Sequence, residues 1–178
     1  MFCFDDLYKL SQLISDEEYQ KRQEEITPDD VVNMQYTSGT TGFPKGVMLT
    51  HTNVIGNAKS QAACLNFTPE DKLCITVPFF HCFGCVMGTL LCLSSGATMV
   101  PVESFRARRV LETIQDIRCT AVHGVPTMFI AELEEMKKTK FDLSSLRTGI
   151  MAGSPCPTEV MKAVVEEMNM GEICITYG

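Results

Sequence analysis

The chain has 178 residues, enough for one domain or one large piece of a bigger one. At 45% hydrophobic and 21% charged residues a buried core is expected and general disorder is excluded, and no apolar run approaches the roughly 18–20 residues that span a bilayer. The formal net charge of −7 is unevenly placed, with nine acids and three bases in residues 1–30 against thirteen acids and twelve bases in 31–178, so no basic face argues for a nucleic-acid partner.

Residues 1–30 read as an acidic, solvated and mobile lead-in, or alternatively as an interaction tail. The opening stretch contains "FDDLYK", which is neither a basic n-region nor an apolar h-region, so no signal peptide is expected. Residues 31–37 (VVNMQYT) alternate, with Val32, Met34 and Tyr36 on one face and Asn33, Gln35 and Thr37 on the other, which is strand periodicity. Residues 46–50 (GVMLT) are a second short strand, and the segment between them forms a long hairpin-like connection. A helical pattern follows from 52 to about 65.

Beyond it a βα rhythm is expected. Residues 72–78 (KLCITVP) read as a buried strand, 83–93 as an apolar helix and 97–102 as a strand. Val110, Ile114 and Ile117 fall at helical spacing. Residues 119–125 (CTAVHGV) read as a strand, and Pro126 opens the next helix at its first turn. Residues 146–153 and 172–178 are strands around a helix at 157–168. Apolar strands alternating with helices predict an α/β fold, a largely parallel sheet with helices on both faces. Ligands of such sheets sit beyond the carboxyl ends of the strands, where this chain carries "PFFH", "HGVP", "AGSP" and "YG".

The nine cysteines are odd in number and irregular in spacing, unlike a secreted disulfide scaffold. A reducing compartment is expected, cytoplasmic by this reading. Cys82 and Cys85 form a C-x-x-C, but zinc normally needs a second ligand pair and none is evident. A packed strand-to-helix junction is expected there, and no metal site.

"YTSGTTGFPKG" at 36–46 joins the first two strands. Gly39, Gly42 and Gly46 let the backbone turn and let N–H groups converge on an anion. Thr37, Ser38, Thr40 and Thr41 add hydroxyl donors, and Lys45 adds positive charge. Together they suit a polyphosphate; a flexible Gly/Thr surface loop is the bland alternative. The spacing G-x-x-G-x-x-K between two strands is not a Walker A loop.

The same stretch resembles the phosphate-loop signature of the adenylate-forming enzymes, which include AMP-binding acyl-CoA synthetases, peptide-synthetase adenylation domains and luciferases. The resemblance continues through "PFFHCFG", "HGVPTMF", "AGSPCP" and the terminal "YG", from about residue 30 to 178, and is most similar to medium-chain fatty-acyl-CoA synthetases. It implies a partial AMP-binding domain at 31–178, within the large N-terminal domain of that fold. It also implies that ATP activates a fatty acid as acyl-AMP, releasing pyrophosphate, before thioesterification to coenzyme A. An aryl- or amino-acid adenylating ligase and a non-catalytic nucleotide-binding module are the alternatives.

By that resemblance Lys45 and Thr37 are catalytic, and Thr37, Ser38, Gly39, Thr40, Thr41, Gly42 and Lys45 hold the phosphates. Gly153, Ser154 and Pro155 match the adenine-side loop, Tyr177 the aromatic against adenine, and Gly178 its neighbour. His81 matches a position near the acyl pocket, with Phe79, Phe80, Phe83, Gly124 and Val125 as candidates for its wall. The family's Mg²⁺-associated glutamate, ribose-binding aspartate and C-terminal domain fall beyond this chain, which is therefore expected to be an internal slice that does not turn over alone. A targeting segment lost upstream would make the parent mitochondrial.

Overall fold

The computed structural model describes residues 3–37 and 42–177. They fall into two compact units, Met1–Thr52 and Asn53–Gly178.

In the first unit the lead-in is solvated but not irregular. Helices α1 (Phe4–Ser11) and α2 (Asp16–Glu25) bury no residue. Ser15 caps α2 by accepting the Glu18 N–H at 3.1 Å, three acids occupy its first turn, and Arg22 pairs with Glu18 at 2.7 Å. Strands β1 (Val31–Thr37) and β2 (Lys45–Thr50) form the expected antiparallel hairpin, with Thr37 opposite Lys45 at its mouth. The period of two is present, yet the better covered face is the polar one. Asn33 and Gln35 are half-buried and hydrogen-bonded to each other at 2.7 Å, whereas Val32, Met34 and Tyr36 are exposed.

In the second unit five parallel strands run in the order β4-β3-β5-β6-β7, namely β3 (Lys72–Ile75), β4 (Thr98–Pro101), β5 (Ala121–Gly124), β6 (Thr148–Ala152) and β7 (Glu172–Thr176). Alternation along the strands feeds two cores. Leu73, Ile75, Ala121, Ile150 and Ala152 pack with Ala62 and Leu65 from the end of α3 (His51–Cys64), with Phe83 of α4 (Cys82–Gly84), and with Leu91 and Cys92 of α5 (Leu91–Ser95). Cys74, Val122 and Met151 pack with Val110, Leu111 and Ile114 of α6 (Ala107–Ile117), Phe129 and Leu133 of α7 (Pro126–Met136), and Val164 of α8 (Thr158–Glu167). The sheet is thus covered on both faces, as the apolar strands required.

The apolar run at 83–93 is not one uniform α-helix. Between α4 and α5 lies a π-helical turn, Cys85–Leu90. The Leu91 N–H is shared between the Val86 and Gly88 carbonyls and passes over that of Met87. The Met87 carbonyl instead takes the Nε2–H of His123, 3.1 Å away on β5. Gly84 is fixed by close approach, because a Cβ there would strike the Pro78 carbonyl.

Candidate functional site

Chain order reverses at the centre of the sheet. From β3 the chain moves outward to β4, then returns across β3 to β5 and proceeds to β6 and β7. The connecting helices change face with it, α4 and α5 on one side, α6 to α8 on the other. A crevice opens where adjacent strand ends diverge to opposite faces, here between the carboxyl ends of β3 and β5. PFFH after β3, HGVP at the end of β5, AGSP at the end of β6 and Tyr177 after β7 all lie at the carboxyl end of this sheet.

Gly153, Ser154, Pro155 and Cys156 follow β6, and Ile175, Thr176 and Tyr177 end β7; together they line one cavity of about 410 Å³. Tyr177 is fully exposed at 101%, its ring free to cover a ligand. Gly153 sits at φ +88°, and a Cβ there would stand 3.1 Å from Val125 Cγ1. Only glycine gives this turn without strain, so the loop is built to keep backbone close to the β5 end. The predicted adenine-side residues are therefore brought together, with Val125 behind them. Cys156, whose thiol is pushed up by burial and donates to the Met151 carbonyl at 3.4 Å, also lines the cavity and was not singled out from the sequence. Its signal was its place inside "AGSPCP".

A second cavity, of about 580 Å³, lies beyond β3 and β4. Its wall is mostly apolar and includes Val77, Phe79, Phe80, Val102, Phe105 and Met128. Of the predicted acyl-pocket residues only Phe79 and Phe80 line it; Phe80 is 85% exposed. Phe83, by contrast, is core. It is 5% exposed and stacks on the His123 ring at 5.8 Å. Gly124 is buried against Phe129. His81 is exposed and caps α4, its Nδ1 accepting the Phe83 N–H at 3.1 Å, which leaves the ring proton on Nε2 when neutral.

The sequence pattern marks His123 only as part of a strand. It is fully buried, with Nδ1 accepting the Ile150 N–H at 3.2 Å and Nε2–H donating to Met87. Burial holds its pKa down to about 4, so it is a neutral bridge joining β5, β6 and the π turn. Thr76 Oγ1 donates to the His123 carbonyl and closes β3 onto β5 at the crevice.

In the first unit, Thr37 and Lys45 face each other at the base of the glycine-rich loop, both exposed, and Gly42 turns at φ +87°. Ser38, Gly39, Thr40 and Thr41 lie outside the described residues, as does Gly178. Among the described residues no group of three or more His, Cys, Asp or Glu side chains could hold a metal ion, and no helix is long and apolar enough to cross a membrane.

A reversed parallel sheet with a glycine turn and an aromatic at its carboxyl edge, preceded by a hydroxyl-rich loop with one lysine, defines a class of nucleotide-using domain. The model of the AMP-binding enzyme family matches residues 3–178, and the chain belongs to that family. The match begins in the acidic lead-in rather than at residue 30. The chain is 58% identical over its whole length to the putative acyl-CoA synthetase YngI of Bacillus subtilis, covering 32% of that protein. It is 39% identical over 180 aligned residues (99% of the chain) to the mitochondrial medium-chain acyl-CoA ligase ACSF2 of Danio rerio, covering 30% of it. Among solved structures, ATP-bound MatB from Rhodopseudomonas palustris superposes with a TM-score of 0.74 at 28% identity, over 86% of this chain and 30% of that one. The chain thus spans about a third of the length of the curated relatives it matches.

Proposed function

We propose that this chain carries the nucleotide- and acyl-binding core of an AMP-forming fatty-acyl-CoA synthetase. The carrying observation is the convergence of Gly153, Ser154, Pro155 and Tyr177 on one cavity at the carboxyl edge of the sheet. In this reading ATP lies with adenine against Tyr177 and the glycine loop. The β- and γ-phosphates lie in the loop from Thr37 to Lys45, whose N–H groups, hydroxyls and ammonium relieve charge on the departing pyrophosphate. The fatty-acid carboxylate is ionised at neutral pH and attacks the α-phosphorus in line without a general base. The acyl group then passes to the thiol of coenzyme A.

The apolar cavity bounded by Phe79, Phe80, Phe105 and Met128 is the surface suited to an alkyl chain. In this reading His81, exposed and capping the start of α4, is a neighbour of the alkyl chain. A medium-chain acid is favoured by the ACSF2 relatives, which are named for that activity. Mg²⁺ accompanies ATP in most such chemistry, held largely by phosphate oxygens. Among the described residues no group of three or more His, Cys, Asp or Glu side chains offers it a site. The nine unpaired cysteines suit a reducing compartment; the cytoplasm is the proposed location, with the mitochondrion, named for the ACSF2 relatives, as the alternative.

The test is acid-dependent pyrophosphate exchange by the full-length protein with a panel of fatty, aryl and amino acids. Fatty acids should be preferred, and Lys45→Ala should lower the rate about tenfold or more while leaving the fold intact, as expected for one charge-assisted phosphate contact of roughly 1.5–3 kcal/mol. Preference for an aryl or amino acid, or exchange indifferent to Lys45, overturns the reading.

A further inference from the structure

Two cysteines from distant parts of the sequence meet at the edge of the sheet. Cys64 is the last residue of α3 and is exposed. Cys174 is the central residue of β7, which among the described residues pairs only with β6 at one end of the strand order, and it is partly exposed. Three features hold them side by side. Cys174 packs against the core cluster that contains Ala62, two residues before Cys64, and Leu65, the residue after it. Arg147 donates to the carbonyls of Leu65 at 3.1 Å and Asn66 at 2.8 Å, and also to Glu172 Oε2 at 2.8 Å, so one guanidinium clamps the end of α3 to the start of β7. Asp71 fixes that guanidinium from the other side, at 2.8 Å and 3.2 Å. These contacts bring the end of α3 beside β7, and burial, with the Cys64 thiol adding to it, pushes the Cys174 thiol up.

We infer that Cys64 and Cys174 are a reversible disulfide site, a redox-sensitive staple between α3 and the edge strand β7. Position assigns the order of events. Cys64 is open to solvent, whereas burial holds the Cys174 thiol above its ordinary range, in its protonated form. With a low-molecular-weight disulfide such as oxidised glutathione as oxidant, the Cys64 thiolate attacks one sulfur and expels the first glutathione thiolate. The Cys174 thiolate then attacks the mixed disulfide at Cys64 Sγ and expels the second. Two protein thiols lose two protons and two electrons, and one glutathione disulfide becomes two thiols. β7 runs on to Thr176 and Tyr177 in the 410 Å³ cavity, so the staple fixes the strand that carries that wall.

The experiment equilibrates the full chain in buffers of oxidised and reduced glutathione, quenches with an alkylating agent and maps tryptic peptides without reduction. Cleavage isolates Cys64 in peptide 60–72 and Cys174 in 163–178, each with no other cysteine. The expected result is a crosslink between these two peptides under oxidising conditions. It disappears with dithiothreitol and is absent from Cys64→Ser and from Cys174→Ser. The oxidised wild type should also unfold at a higher urea midpoint than the reduced form, a shift that Cys64→Ser abolishes without altering the reduced midpoint. Persistent glutathione on Cys64 with Cys174 still free, or Cys174 crosslinked elsewhere, or no crosslink in excess oxidised glutathione, overturns the inference.

Discussion

Glu132 offers a prediction that separates burial from every other electrostatic effect in the fold. It lies on the sheet side of α7 with 1% of its surface exposed, and among the described residues its Oε2 has no hydrogen-bond partner. Burial pushes its carboxyl up to about 8 from an ordinary 4.5. Below pH 4.5 both the folded and the unfolded chain hold the proton, and the group contributes nothing that varies with pH. Between 4.5 and 8 the unfolded chain releases the proton while the folded chain keeps it, so stability falls by ~1.4 kcal/mol per pH unit. By pH 7 the accumulated loss is ~3 kcal/mol, and above 8 it levels off. Glu132→Met keeps helix propensity and side-chain length and removes the charge. Urea unfolding of wild type and variant from pH 4.5 to 8.5 gives the difference in unfolding free energy at each pH. The variant should gain on the wild type steadily up to pH 8, by ~3 kcal/mol between pH 4.5 and 7. A difference that stays flat with pH would mean the carboxyl is not protonated in the folded core, and the reasoning would fail.

His123 acts with the opposite sign. Its pKa falls to about 4 when buried, so below about 6.5 the unfolded chain takes up a proton that the folded chain refuses, and stability falls as pH drops from 6.5 to 4. His123→Leu should flatten that acid-side slope and at pH 7 should destabilise by roughly 2–4 kcal/mol, because the Ile150 N–H and Met87 carbonyl lose their partner; urea titrations at pH 4.5 and 7 read both effects. Gly153→Ala must place a Cβ at φ +88° and 3.1 Å from Val125, so a loss of roughly 1–2 kcal/mol is expected together with weaker ATP binding; an unchanged urea midpoint and unchanged ATP titration would show that this turn does not depend on glycine.

Wherever local pattern decides, the fold was legible in the sequence. The strand at 31–37 has its predicted bounds, and each βα element lies within a few residues of its periodic signal. Apolar strands alternating with helices predict a parallel sheet covered on both faces, and the two cores follow that pattern. Two features escaped, one through a masked local signal and one because the deciding interaction is not local. The lead-in at 1–30 looked merely solvated, although Ser15 with Glu18 three residues on is a helix-start signal that its acidity masked. The run at 83–93 looked uniformly helical, and nothing within it announces a π turn. The departure from α geometry is tied to His123, 36 residues beyond Met87.

That same long-range contact explains why the site was only partly legible. Phosphate-loop and glycine-turn residues can be named from a motif because their role is carried by backbone and by residue type. Gly153 to Pro155 and Tyr177 duly share a cavity. An apolar wall has no such mark, since a phenylalanine in a core and one in a pocket are the same residue in a sequence. Phe79, Phe80 and Phe83 stand within five positions, yet the first two border the apolar cavity and the third is stacked on His123 inside the fold. What divides them is the start of α4. Pro78 and Gly84 meet so closely that the chain must turn between them, leaving Phe79 and Phe80 outside the turn and driving Phe83 inward onto the imidazole. The neutral histidine then holds the turn from beneath through Met87, at the point where strand order reverses. The crevice is therefore shaped by a buried polar residue that touches neither cavity, so changes at His123 should be felt at Phe80 and His81 before they are felt elsewhere in the sheet.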